Sequence, residues 1–159
     1  MSIVCEATSR RVEGTEAWGR ALVEAAAAPL RVALDGEVGA GKTAFVRGAV
    51  AALAPSLATW VSSPTYAVVH HYPTTPPTLH VDLYRVVSAD DLASVGFWEL
   101  DAGGWLFVEW ASRVPEVMRH VDVVASIERR PRSRRARFAS HTAAGAAALQ
   151  RLCAKLQAT

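Results

Sequence analysis

The sequence predicts an α/β fold with helices flanking a mixed, mainly parallel central sheet. Three observations carry that prediction. Apolar runs of strand length recur along the chain, stretches with helical spacing separate them, and one strand passes through a glycine-rich turn directly into a helix. The 159 residues, 51% hydrophobic and 20% charged, suit one domain with a real core over 1–159 and exclude a disordered chain.

Taken in order, Thr15 is expected to cap a helix that runs to Pro29, with Trp18, Ala21, Leu22 and Ala25 on one face. Residues 30–35 (LRVALD) alternate and end at Gly36, as a strand does. From Lys42 a second helix carries Phe45, Ala49 and Leu53 at spacing four until Pro55 stops it. Residues 58–84 read as extended, with a proline-rich turn at 73–77. Ser88 is placed to cap a short helix through Leu92. Residues 105–109 (WLFVE) are continuously apolar up to an acid, the pattern of a strand buried on both faces. Val121, Val123, Ala125 and Ile127 alternate with Asp122, Ser126 and Glu128, giving a half-exposed strand. The arginine-rich stretch 129–137 reads as a turn into a strand at 136–139. A last helix places Leu149, Leu152, Cys153 and Leu156 on one stripe.

The formal net charge of +2 hides an uneven distribution. Six of the seventeen basic residues (Arg129, Arg130, Arg132, Arg134, Arg135 and Arg137) fall within nine positions, leaving eleven bases against fifteen acids elsewhere. An acidic body with one basic patch is not a uniformly basic nucleic-acid binder. Cys5 and Cys153 match no metal or redox spacing, and two buried thiols in a reducing cytosol are expected. The first residues, MSIVCEATSRRVEG, carry no apolar run of signal-peptide length, and no run nears the ~20 apolar residues that span a bilayer, so a soluble cytoplasmic protein without membrane contact is expected. His70 and His71 are adjacent on a strand and face opposite sides, and the five histidines suggest no metal site.

Residues 36–43, GEVGAGKT, match G-x-x-x-x-G-K-[ST] at every fixed position. Glycines let backbone N–H groups turn inward around phosphate oxygens, and the following helix aims its positive end at the same anion. Gly39, Ala40, Gly41, Lys42, Thr43 and Ala44 are therefore the expected nucleotide-binding positions, in a P-loop NTPase fold. Lys42 would reach the β- and γ-phosphates of ATP, and Thr43 would offer its hydroxyl to Mg²⁺. Such a site also needs a strand-end carboxylate, and both Glu109 and Asp82 qualify as metal-side acids. Glu109 has the more apolar approach, whereas Asp82 lies between His80 and Arg85. Trp110 reads equally as a core residue or as a cover over the nucleotide. Thr65, in SSPTY, sits in a segment stiffened by Pro64 and could act as a γ-phosphate switch or belong to a plain turn.

Together, GEVGAGKT followed by Phe45-Val46-Arg47-Gly48, SSPTY, the run His80-Val81-Asp82-Leu83-Tyr84-Arg85, and Glu109-Trp110 resemble the TsaE (YjeE) family from about Thr15 to Arg134. These are bacterial P-loop ATPases of tRNA threonylcarbamoyladenosine synthesis. The resemblance implies slow ATP hydrolysis in an accessory protein that works with TsaD and TsaB on tRNAs reading ANN codons. It implies phosphate and metal roles for Lys42 and Thr43, a Walker B-like role for Asp82, and a second metal-side acid in Glu109. It further implies a switch in Thr65, Trp110 near the nucleotide, and Thr15 and Arg134 bracketing the adenine. Two features depart from the family: Ala111 stands where proline often follows the Glu-Trp pair, and the spacer before the HxDLYR motif is the proline-rich YPTTPPTL.

Two other readings share the loop. A small-molecule kinase could use the arginine stretch as a lid, and a nucleotide-regulated binding module could dispense with hydrolysis. The arginine cluster itself divides between a nucleotide contact at Arg134, contacts to tRNA or an acidic partner, and a solvated turn.

Overall fold

Side chains two apart on a strand share a face, and that alternation divides the core of this protein in two. The computed structural model describes residues 2–100 and 103–157. In chain order its elements are β1 (Val4–Ser9), α1 (Val12–Ala25), β2 (Arg31–Asp35), α2 (Lys42–Leu53), β3 (Val69–Tyr72), β4 (Thr78–Asp82), α3 (Ala89–Ser94), α4 (Phe97–Leu100), β5 (Trp105–Glu109), α5 (Pro115–Met118), β6 (Val123–Arg130), β7 (Ser133–Ser140) and α6 (Ala143–Gln157). The strands form one seven-stranded sheet in the order β1-β7-β6-β2-β5-β4-β3. Pairings at the centre, β6 with β2, β2 with β5 and β5 with β4, are parallel, and those toward the edges are antiparallel.

Val32, Leu34, Trp105, Phe107, Val123 and Ala125 point to one face, where they meet α1, α2 and α6. Ala33, Leu79, Val81, Leu106 and Val108 point to the other and are covered by α3, α4 and α5. The wholly buried strand predicted at 105–109 is β5. Burying a side chain such as Phe45 or Phe107, both fully enclosed, contributes about 2–3 kcal/mol.

Helices α1 and α2 approach more closely than ordinary side chains permit. A Cβ on Gly19 would lie 1.9 Å from the Phe45 carbonyl oxygen, and one on Gly48 would lie 1.7 Å from that of Glu16. Two glycines thus bring the two backbones into direct contact.

Several expectations are corrected. Thr15 is not a cap: α1 begins three residues earlier, at Val12, because Ser9 exchanges hydrogen bonds with the backbone of Arg11, and Thr15 is buried inside the helix. Residues 55–60 form a 3-10 helix rather than extended chain at 58–60, since Pro55 starts a new turn after α2. The arginine stretch is mostly strand: only Pro131 and Arg132 turn, while the other arginines lie on β6 and β7. The N-terminal strand β1 carried too little alternation to be predicted. Ser88 does cap α3, accepting from the Asp91 N–H at 3.1 Å.

Cys5 and Cys153 are joined in a disulfide rather than present as two free thiols, with their Cα atoms 5.7 Å apart. Since β1 pairs onto β7 and α6 packs back over β1, cysteines from opposite ends of the chain meet. No described helix is long and apolar enough to cross a membrane.

Alanine normally improves a helix by about 1 kcal/mol over glycine. Here the backbone overlap outweighs that gain, so Gly19→Ala and Gly48→Ala are expected each to lose about 1–3 kcal/mol or more of stability. Denaturant unfolding of the two variants measures this; a stabilised Gly48→Ala would contradict the close helix contact.

Candidate functional site

The chain leaves β2 at Asp35, turns through residues 36–41 and enters α2 at Lys42. Glycine is required at two points of this turn. Gly41 has φ +119°, and a Cβ on Gly36 would meet the Ile127 carbonyl oxygen at 2.4 Å. A left-handed residue opening a twelve-residue helix gathers backbone N–H groups at its positive end, where anions are favoured. Ala40 contributes only backbone to this turn, since its methyl is fully buried in the core.

Lys42 is 5% exposed. Its Nζ donates to the carbonyl oxygens of Gly36 and Glu37, the latter at 3.3 Å, and stands 3.9 Å from the centre of the Trp110 ring. Burial pushes the ammonium below the ordinary lysine value of 10.5, while the carboxylates of Glu109, Asp82 and Asp35 oppose that shift.

Asp82 and Glu109 are the last residues of the neighbouring parallel strands β4 and β5 and are register partners. Both are almost wholly buried, at 1% and 3% exposure. They are held differently. Asp82 Oδ2 accepts from the hydroxyls of Thr65 at 2.8 Å and Ser63 at 3.2 Å, and Oδ1 accepts from the Tyr84 N–H at 2.8 Å. Glu109 Oε2 accepts from the Thr43 hydroxyl at 3.2 Å and lies 2.5 Å from His80 Nε2. Glu109 is thus tied to the glycine loop, and Asp82 to the SSPTY segment.

The non-glycine residues with left-handed backbone among those described, Val68 at φ +69° and Trp110 at φ +60°, flank these two acids. Such strain is held by the surrounding bonds: the Asp82 N–H donates to Val68 O at 2.9 Å, and the Trp110 N–H to Leu34 O at 3.3 Å.

A cavity of about 260 Å³ opens between Lys42, Thr43, Thr65, Asp82, Glu109 and Trp110. A second, of about 330 Å³, is lined by Thr15 of α1 and Arg134 of β7 among others. Gly39, Gly41 and Ala44 border both, so the loop forms a shared wall between them. Arg134 Nη2 donates to the Gly39 carbonyl at 3.3 Å. Every expected site residue except the buried Ala40 side chain therefore borders one of the two adjoining cavities.

Several contacting residues had no sequence signal strong enough to single them out. Ser63, His80 and Tyr72 are among them. His80 stands two residues before Asp82 on the same strand, hence on the same face, and that spacing was the available clue. Tyr72 reaches His80 only through the pairing of β3 with β4. Burial raises the Tyr72 phenol above its ordinary value, so it stays a hydrogen-bond donor. Among the described residues no group of three or more His, Cys, Asp or Glu is arranged to hold a metal ion.

A family model described as threonylcarbamoyl adenosine biosynthesis protein TsaE matches residues 9–137. The chain is 36% identical over 136 residues to a protein of Mycobacterium leprae named tRNA threonylcarbamoyladenosine biosynthesis protein TsaE, covering 77% of this chain and 80% of that one. A Treponema pallidum protein of the same name is 31% identical over 120 residues, or 75% of this chain and 87% of its own length. The crystal structure of YdiB from Bacillus subtilis shares the fold, with a TM-score of 0.71, 24% identity, and coverage of 99% of this chain and 97% of that one.

Because burial lowers the folded-state value of Lys42, the unfolded chain binds more protons between that value and 10.5. Stability contributed by this residue should therefore rise with pH through that interval. Unfolding of the wild type and Lys42→Met from neutral pH upward tests the sign: the wild type should gain relative to the variant as pH increases, and a relative loss would contradict it.

Proposed function

This chain belongs to the TsaE family, and on that premise we propose that it is a P-loop ATPase of tRNA threonylcarbamoyladenosine synthesis. It binds Mg·ATP, hydrolyses it slowly, and acts in the cytoplasm with TsaD and TsaB on tRNAs reading ANN codons. One observation carries the chemical part of this reading. The Thr43 hydroxyl, the Lys42 ammonium and the carboxylates of Glu109 and Asp82 line one small cavity at the start of α2.

The donor set suits magnesium. Carboxylate and hydroxyl oxygens are hard ligands, and Mg²⁺ takes few of them from protein because phosphates and water complete its shell. Thr43 and Glu109 would hold it, with Asp82 beside them. When bound, Mg²⁺ neutralises charge on the β- and γ-phosphates.

This chain's own groups do the rest. Lys42 Nζ exchanges the carbonyls of Gly36 and Glu37 for phosphate oxygens, which are stronger, charged acceptors. Backbone N–H groups of the loop and the start of α2 bind the phosphates without side-chain cost. The base end of the nucleotide occupies the second cavity, between Thr15 and Arg134. Water attacks the γ-phosphate in line, and an acid at the mouth, Glu109 or Asp82, orients it. Thr65, bonded to Asp82, senses the γ-phosphate and passes its presence to the exposed SSPTY loop. Arginines of the β6–β7 hairpin not engaged with nucleotide offer a surface to tRNA, directly or in the complex.

Lys42→Ala is expected to lower Mg·ATP hydrolysis by about a hundredfold or more while the far-UV spectrum is retained. Undiminished hydrolysis in that variant overturns the assignment. Glu109→Ala and Asp82→Ala should still bind ATP but fail to support repeated rounds of tRNA modification with TsaD and TsaB. Sustained turnover with either would instead favour a binding module.

A further inference from the structure

A buried chain of hydrogen bonds runs behind the cavity and joins Glu109 to the start of the SSPTY loop. His80 is fully enclosed, yet both of its ring nitrogens are engaged: Nε2 with Glu109 Oε2, and Nδ1 with the Tyr72 hydroxyl at 3.3 Å. The Tyr72 hydroxyl lies 3.4 Å from both the N–H and the carbonyl oxygen of Ser62. His70 Nδ1 stands 3.2 Å from the same carbonyl.

One arrangement of protons gives each of these groups a partner. A carboxylate only accepts, so a ring with a single proton carries it on Nε2, and Nδ1 then accepts from Tyr72. The Tyr72 oxygen accepts from the Ser62 N–H, and His70 Nδ1–H supplies the Ser62 carbonyl. Every bond from Ser62 to Glu109 then points the same way. Thr43 and His80 both donate to Oε2, and among the described residues no donor meets Oε1. Oε2 is anchored, while Oε1 is left for a ligand of the cavity that Glu109 borders.

A histidine kept only for packing would be satisfied by any backbone carbonyl. This one is aimed at a strand-end acid on the next strand and braced from behind by a phenol. We propose that Tyr72 and His80 are positioning residues: they fix the orientation of Glu109 and couple it to the loop carrying Ser62, Ser63 and Thr65. A shift of Ser62 would move the Tyr72 hydroxyl, turn the imidazole, and redirect Oε1. The loop that holds Asp82 through Ser63 and Thr65 would thereby also set the aim of Glu109. The proposal rests on the reading of Glu109 as part of a nucleotide site.

The test compares the wild type with Tyr72→Phe, His80→Gln and His80→Leu. In Mg·ATP hydrolysis, His80→Leu should lower kcat about tenfold or more with KM within about threefold, as expected when an outer hydrogen-bond partner of a metal-side acid is lost. His80→Gln, which keeps an N–H donor, should recover most of that loss. Unchanged kcat in a folded, active His80→Leu overturns the proposal. Nitrogen-15 NMR of the ring provides a readout independent of hydrolysis. The wild type should carry the His80 proton on Nε2, and Tyr72→Phe, which keeps the ring volume, should shift the Nδ1 resonance and the Ser62 and Glu109 amides together. A proton on Nδ1 alone, or a Glu109 amide indifferent to Tyr72→Phe, overturns it. If the wild type hydrolyses no ATP, the functional reading fails, and the NMR arm still decides the relay.

Discussion

The burial of charge at the ends of β4 and β5 is the constraint from which the arrangement of this molecule follows. Lys42, Asp82 and Glu109 are each at most 5% exposed, in a place where an unpartnered charge would cost several kcal/mol. Each is therefore committed to named partners. Lys42 turns back onto the loop carbonyls and the Trp110 face, Asp82 gathers two hydroxyls and an N–H, and Glu109 takes a hydroxyl and an imidazole. Meeting those demands fixes the path of the glycine loop, the entry to the SSPTY segment and the left-handed turn at Trp110. The two apolar cores hold the sheet; the polar cluster determines what its end looks like.

The strands and helices that could be read from the sequence were those whose period or punctuation was strong. WLFVE is buried on both faces and so is apolar throughout, Pro55 stops α2, and Ser88 begins α3. Thr15 lies in the helix its position predicts but inside it rather than at its cap, since a threonine before an apolar stripe looks like a cap whether or not the helix starts earlier. β1 is hard to read because its inward side chains, Cys5, Ala7 and Ser9, are small while Val4 faces outward, and the meeting of Cys5 and Cys153 depends on it. The arginines misled in a different way: charge suggested a turn, while every second residue of β7 was already facing inward at Ala136 and Phe138.

Within the site, the residues of the loop and the two acids were legible because each carries a local pattern: fixed glycine spacing, or an acid ending an apolar run. Tyr72, His80 and Ser63 act through strand pairing and loop closure, which a single chain does not spell out. Which groups hold each acid was likewise beyond sequence. Both end a strand, and only the fold shows that Thr43 bonds Glu109 while Thr65 bonds Asp82.

The glycine contact between α1 and α2 bears on how such a site can move. Thr15 rides on α1, at the wall of one cavity, while Lys42 and Thr43 ride on α2, at the wall of the other. With Gly19 against Phe45 and Gly48 against Glu16, the two helices touch through their backbones, with no side chain between them to yield. The distance between the cavities is then set like the jaws of a caliper locked at one opening. A molecule long enough to reach across both would meet a spacing set by backbone against backbone rather than by flexible side chains.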